Sequence, residues 1–325
     1  MLRAGVVGLG VMGRHHTRVL RSLDGVEFVG VHDPAPSSPD SLDGVPIVRE
    51  LDAFLDMKLD YAVVSAPTAY HLDLGRALAE RGIHALIEKP VASDTASADE
   101  LVDLFEKAGL VGGVGHIERF NPALQSMRQR LEDGLIGEIF QIVTRRQGPF
   151  PGRIADVGVI KDLATHDIDL TAWVSQQEYV SVNARTAFRS GREHEDMVVA
   201  VASLSGGAIA SHTVNWLTPF KERVTVVTGE KGALVADTLT ADLTLHQNGL
   251  IENRWERVSS FRGVTEGDVT RFALERKEPL VAEHEAFRDA VLTGDTSGIV
   301  TLREGRAAVD IAERLVADGR DHRLT

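Results

Sequence analysis

Gly8-Leu9-Gly10-Val11-Met12-Gly13 is followed, 20 residues past its last glycine, by Asp33. The hexapeptide fits G-x-G-x-x-G, a weak pattern when it stands alone. Here it follows the apolar run Ala4–Val7 and opens a helical pattern over Gly13–Leu23, and Asp33 closes the next strand pattern, Val26–Val31. With all three contexts met, the stretch reads as a dinucleotide-binding turn. Gly8 permits the tight turn, Gly10 lets the backbone approach a pyrophosphate, and Gly13 lets helix and strand pack closely. The first helical turn, with Val11 and Met12, offers N–H groups to phosphate oxygens. A carboxylate at Asp33 accepts hydrogen bonds from the adenine-ribose hydroxyls and repels a 2′-phosphate. Pro34, Ala35 and Pro36 follow it with no arginine to receive that phosphate, which favours NAD over NADP. His15 and His16 fall in the first turn, where a histidine is more often structural than chemical.

Outward from this turn, the first ~120 residues alternate short β-branched runs with helical patterns, as a parallel α/β sheet requires. Strands are expected at Tyr61–Ser65, Ala85–Ile87 and Val111–Val114, and helices at His71–Arg81 and Thr95–Lys107. Gly82 is placed to end the first of these helices and Asp94 to cap the second. Pro34 to Asp43 reads as a loop. After Pro122 the pattern changes. Candidate strands Glu138–Arg146, Val180–Phe188, Met197–Leu204, Ala208–Trp216, Arg223–Gly229 and Ala233–Asp237 follow one another through turns such as Ser205-Gly206-Gly207 and Glu230-Lys231-Gly232. Helices are expected over Asp162–Val174 and from Glu283 to Asp318. The fold class is therefore α/β: a Rossmann-type, doubly wound parallel sheet over residues 1–120, then an α+β domain over 121–325 with a large, open, mostly antiparallel sheet.

Composition excludes several classes of function. The 325 residues include no cysteine, so disulfides, thiolate zinc sites and a cysteine nucleophile are ruled out. A net charge of −13 argues against nucleic-acid or anionic-membrane partners. Apolar runs such as Tyr61–Ala66 are strand-sized, and the glycine turn arrives too early for a signal peptide before it. A cytoplasmic location is expected.

Ligands of such sheets sit beyond the carboxyl ends of the strands. Ser65-Ala66-Pro67-Thr68, with His71 opening the helix behind it, and Glu88-Lys89-Pro90 leave two strands at that edge. Ala66, Pro67, Thr68, His71, Glu88 and Lys89 are accordingly candidates for cofactor contact. Lys89 has a position from which to face a nicotinamide and a substrate hydroxyl, although a lysine in a loop is most often only solvated. Further on, Asp162-Leu163-Ala164-Thr165-His166 sets a carboxylate and an imidazole four apart on one helical face, which Asp169 continues. A histidine is the natural proton acceptor for alcohol oxidation near neutral pH, and a neighbouring carboxylate can orient it. An Asp–His surface pair is the bland alternative. A metal site through Asp162, His166 and Asp169 is disfavoured, because hydride transfer needs no Lewis acid and a third imidazole is lacking.

The glycine turn, Glu88-Lys89-Pro90 and Asp162-x-x-x-His166 together make the chain resemble the glucose–fructose oxidoreductase/inositol dehydrogenase/MocA family over essentially its whole length. That resemblance implies an NAD-dependent dehydrogenase with Lys89, Asp162 and His166 as catalytic residues and a cis Lys89–Pro90 bond. It also implies a homodimer or homotetramer formed through the open sheet. Two stretches, Gly115-His116-Ile117-Glu118-Arg119-Phe120-Asn121-Pro122 and Asp156–Asp169, resemble members that oxidise the 3-hydroxyl of a UDP-N-acetylhexosamine. They bring Arg119 and Asn121 in as substrate-binding candidates beside Asp162 and His166. Arg145, Arg146 and Arg153 surround Gly148-Pro149-Phe150-Pro151-Gly152, and a guanidinium suits a diphosphate. Strand neighbours point to opposite faces, so Arg145 and Arg146 cannot share a pocket, and Arg153 is the better candidate. An inositol or free-sugar dehydrogenase is the alternative enzyme. An NAD-binding sensor without turnover would need the glycine turn but not Lys89, Asp162 and His166.

Overall fold

The computed structural model describes residues 1–36, 38, 41–42, 44–152, 157–249 and 265–321, which divide into two compact units. The first begins with β1 (Leu2–Val7), α1 (Val11–Leu20), β2 (Val26–His32), β3 (Ser41–Leu42), β4 (Val45–Val48), α2 (Leu51–Leu55), β5 (Tyr61–Val64), α3 (His71–Glu80), β6 (His84–Glu88), α4 (Thr95–Ala108) and β7 (Gly112–Gly115). Its seven strands lie in the order β3-β4-β2-β1-β5-β6-β7, and every pairing is parallel except β3 with β4. The chain runs one way from β1 to β2 and the other way to β5. The glycine turn therefore leaves the sheet at the point where the strand order reverses, where such sheets bind ligands. Tyr61–Val64 is buried along its whole length, as a strand covered on both faces must be. Gly82 takes a left-handed φ of +69° just past α3, and the Asp94 carboxylate accepts the Ser97 N–H to cap α4.

The second unit holds α5 (Pro122–Glu132), β8 (Ile139–Pro149), a π-helical turn (Ile160–Ala164) running into α6 (Thr165–Ser175), and β9 (Tyr179–Ala187), β10 (Met197–Leu204), β11 (Ile209–Asn215), β12 (Leu217–Gly229), β13 (Gly232–Asp237), β14 (Asp242–Gly249) and β15 (Thr265–Arg271). These strands form one sheet, β15-β14-β13-β12-β8-β11-β10-β9, antiparallel throughout except for β8 with β11. Alternation sets its two faces. On one, Ile142, Ala202, Ala210, Val227 and Leu234 pack under Leu124 and Met127 of α5 and Leu170 of α6. On the other, Val199, Val201 and Ile209 are exposed.

Two further helices, α7 (Pro279–Thr293) and α8 (Leu302–Asp321), follow. The sequence suggests a single helical segment over Glu283–Asp318 lying in the second domain. Instead it breaks after α7, where Gly294 adopts φ +77°, and residues 278–313 belong to the first unit. The reason is packing. β7 presents Gly112 and Gly113, where a Cβ would come 2.3 Å from Leu302 of α8 and 3.0 Å from Phe287 of α7. The missing side chains let these two helices press onto the sheet, and Phe287 and Ala290 complete a cluster with Ala4, Val6 and Tyr61.

Candidate active site

In the first unit the glycine turn is built as its sequence requires. Gly8 adopts φ +93°, and a Cβ there would lie 2.8 Å from the Ala66 nitrogen. At Gly13 a Cβ would lie 1.9 Å from the Gly8 carbonyl oxygen. Gly10 differs: a Cβ on it would meet nothing within 4 Å among the described residues. Steric packing within the protein does not demand glycine at that position, which leaves the open side of the turn free for a ligand's approach. Gly10 also precedes α1 with no side-chain cap and no acid in the first turn, so the orphan amides of Val11, Met12 and Gly13 present a positive end.

Asp33 is buried. Its Oδ2 accepts the Leu9 N–H at 2.7 Å and its Oδ1 accepts the Ala35 N–H at 2.9 Å. A carboxylate offers about four lone-pair directions, so acceptor capacity remains for a ribose diol. An open Gly10, an uncapped helix start and a fixed acid fit a dinucleotide. Arg49, which local spacing does not link to Asp33, donates to the carbonyls of Ala35 and Ser38.

The two other strand ends are tied together by His71. Its Nε2 lies 2.9 Å from the Ala66 oxygen and its Nδ1 3.0 Å from the Pro90 oxygen, and burial lowers its pKa. The ring thus braces Ala66-Pro67-Thr68 against Lys89-Pro90. Lys89 is partly exposed and its bond to Pro90 is cis. Glu88 turns inward. Its Oε1 lies 2.8 Å from His16 Nε2 and its Oε2 accepts the Lys89 backbone N–H at 3.1 Å. His16 Nδ1 in turn lies 2.9 Å from His284 Nε2. The exposed His15 takes no part in this arrangement. Nothing in the sequence pattern pointed to His284, which comes from α7, far along the chain.

In the second unit Asp162 and His166 sit where the π-helical turn passes into α6, so the wider turn, and not a regular α-helix, carries Asp162. Asp162 is buried and its N–H bonds the Gly158 oxygen at 3.1 Å, while His166 is half-buried. Glu195 holds the start of the turn by accepting the Ile160 N–H. Arg146 donates its Nε–H to both oxygens of Asp167, at 3.0 and 3.1 Å, and both side chains are buried. Arg145, on the opposite face of β8, pairs with Glu222 at 2.9 Å. Arg153 lies outside the described residues. Arg119 donates to Glu304 at 2.7 Å, and Asn121 caps α5 by accepting the Ala123 N–H at 3.0 Å. Both therefore have clear duties in holding the chain.

The oxidoreductase-family model for the NAD-binding Rossmann fold, GFO/IDH/MocA, matches residues 2–116, and the GFO/IDH/MocA C-terminal domain model matches residues 124–235. Together they cover more than half of the chain. The chain belongs to the GFO/IDH/MocA family. It is an NAD-dependent dehydrogenase acting on CH–OH groups. Among its relatives is the UDP-N-acetylglucosamine 3-dehydrogenase of Acidithiobacillus ferrooxidans, 28% identical over 89% of this chain and 88% of the relative. A solved structure of that enzyme superposes with a TM-score of 0.86 at 25% identity, covering 99% of this chain and 98% of that one. Inositol 2-dehydrogenase 2 of Saccharopolyspora erythraea is 25% identical over 96% of this chain and 91% of the relative. No helix among the described residues is long and apolar enough to cross a membrane.

Proposed function

We propose that this family member oxidises a secondary hydroxyl of a sugar, specifically the 3-hydroxyl of a UDP-N-acetylhexosamine. The observation that carries the reading is the near full-length likeness to a UDP-N-acetylglucosamine 3-dehydrogenase in a chain that keeps Lys89, Asp162 and His166. The Gly115–Pro122 and Asp156–Asp169 stretches support the same substrate class.

NAD supplies the acceptor for the hydride that leaves the ring carbon. In this reading His166 takes the hydroxyl proton as the C–H bond breaks. Lys89 donates a hydrogen bond to the same oxygen and stabilises the developing alkoxide. Asp162 orients the proton-handling group and offsets its positive charge. Arg153 is proposed to hold the diphosphate, a role suited to a planar guanidinium.

Calorimetric titration with UDP, UDP-N-acetylglucosamine and myo-inositol, each with NADH present, tests the substrate. Binding of both uridine compounds is expected, together with turnover of the nucleotide sugar. The inositol relative at 25% identity makes the competing outcome concrete. Turnover of myo-inositol or a free hexose, with no binding of UDP, would replace this substrate and leave the dehydrogenase assignment standing.

A further inference from the structure

At the end of β6, just before Lys89, runs a buried chain of side chains drawn from three elements. Glu88 ends β6, His16 lies on α1, and His284 lies on α7 next to Glu283. His16 and His284 have no exposed surface. The contacts run from His284 Nε2 to His16 Nδ1 at 2.9 Å, and from His16 Nε2 to Glu88 Oε1 at 2.8 Å. They end at the Lys89 backbone N–H, which donates to Glu88 Oε2 at 3.1 Å.

Burial disfavours an ionised Glu88, but the His16 hydrogen bond and the nearby charges of His16 and Lys89 outweigh it and lower its pKa. An ionised carboxylate only accepts, so His16 Nε2 must donate. His284 is held neutral, chiefly by burial and then by the charge of His16, and so carries one proton. Its Nδ1 is buried with no hydrogen-bond partner among the described residues, so Nε2, against His16 Nδ1, is its one bonded ring nitrogen there. Glu283, also buried, has neither oxygen bonded among the described residues. Burial and the charge of Glu88 raise its pKa well above the usual range, so it stays neutral and adds no second negative charge. His71, whose ring feels the Glu88 carboxylate, is likewise held neutral mainly by burial.

An aliphatic filling would pack this space without the cost of desolvating a carboxylate and two imidazoles. The arrangement makes a different contribution: it fixes one carboxylate against one amide. We infer that His16 and His284 are positioning residues, a buried hydrogen-bond chain that locks Glu88 onto the Lys89 backbone and so sets where the Lys89 side chain begins. The inference rests on Lys89 acting in the reaction.

Glutamine at position 16 keeps one donor and one acceptor in a single side chain, whereas leucine keeps neither, so the pair His16→Gln and His16→Leu separates positioning from packing. His16→Leu is expected to lower kcat about 10–100-fold, the scale of a small misplacement at a reacting centre. KM for NAD and thermal stability should stay close to wild type, and His16→Gln should recover most of the rate. His284→Gln and His284→Leu should repeat the pattern more weakly. Wild-type kcat in His16→Leu and His284→Leu would overturn the inference. So would an equal loss of rate in the leucine and glutamine variants that tracks a loss of stability. Lys89→Met separates the two readings. Full activity in that variant would sink the catalytic role of Lys89 and this inference with it. An inactive Lys89→Met beside a fully active His16→Leu would sink the inference alone.

Discussion

Asp33 accepts the Leu9 N–H at 2.7 Å, so the acid that follows β2 and the turn that leaves β1 form one hydrogen-bonded unit. The carboxylate thus has a fixed place at the mouth of the turn. We expect kcat/KM to favour NAD over NADP, and Asp33→Ser with Pro34→Arg to shift the ratio towards NADP. A wild type that prefers NADP would refute the role given to Asp33.

The two glycines of the turn should fail differently. At Gly13 a methyl group would collide with the Gly8 carbonyl, its carbon 1.9 Å from that backbone oxygen. Gly13→Ala is expected to cost about 1–3 kcal/mol of stability, read from urea unfolding of the protein without cofactor. Gly10→Ala meets nothing within 4 Å among the described residues and should leave that stability unchanged. It should still weaken NADH binding, because its methyl group occupies the space a pyrophosphate needs. Unaltered NADH affinity in Gly10→Ala would remove Gly10 from the cofactor site.

Lys89→Met and His166→Ala are each expected to bind NADH yet lose about 10²–10⁴-fold in turnover, the usual cost of removing a positioned acid–base group. Fluorescence titration with NADH beside steady-state rates checks both halves. Near-full activity in either variant would take that residue out of the mechanism.

A separate prediction concerns acid. His212 is buried between Thr144 Oγ1 at 2.8 Å and Tyr179 OH at 2.9 Å, and burial pushes its pKa down to about 4. In the unfolded chain a histidine titrates near 6.5. Between those values the unfolded state takes up a proton that the folded state refuses, so stability falls as pH drops from about 6.5 to about 4. Over that window the loss from this group approaches about 3 kcal/mol. Urea unfolding at pH 7 and pH 5 should show a smaller drop in His212→Gln than in wild type. Equal drops would mean that His212 is not a source of the acid sensitivity.

What the sequence revealed was what short spacing encodes. Gly8, Gly10, Gly13 and Asp33 lie within one strand–helix–strand unit, and Met197–Leu204 shows its alternation residue by residue. Less was legible where a feature depends on distant chain. Ser41–Leu42, inside the expected loop, is too short a strand to show a period and exists because β4 pairs with it. β14 and β15 were not anticipated, their sequences being rich in polar residues. The start of the π-helical turn that carries Asp162 is held by Glu195, which accepts the amide of Ile160, 35 residues before it. The same holds for Arg146, a diphosphate candidate in the sequence but committed to Asp167 in the fold. Residues 278–313 join the first unit because of glycines in β7, which a helical periodicity in α7 or α8 cannot reveal.

That last arrangement bears on how the protein is made. A ribosome adds roughly 5–20 residues each second, so some ten to thirty seconds separate the completion of β7 from the start of α7. Until then Gly112, Gly113 and Tyr61 lack the cover of Phe287 and Leu302, against which they pack in the finished chain. A nascent chain stalled before Pro279 would carry an unsheltered apolar sheet face, and a fragment ending at Phe120 should aggregate unless residues 278–313 are supplied with it.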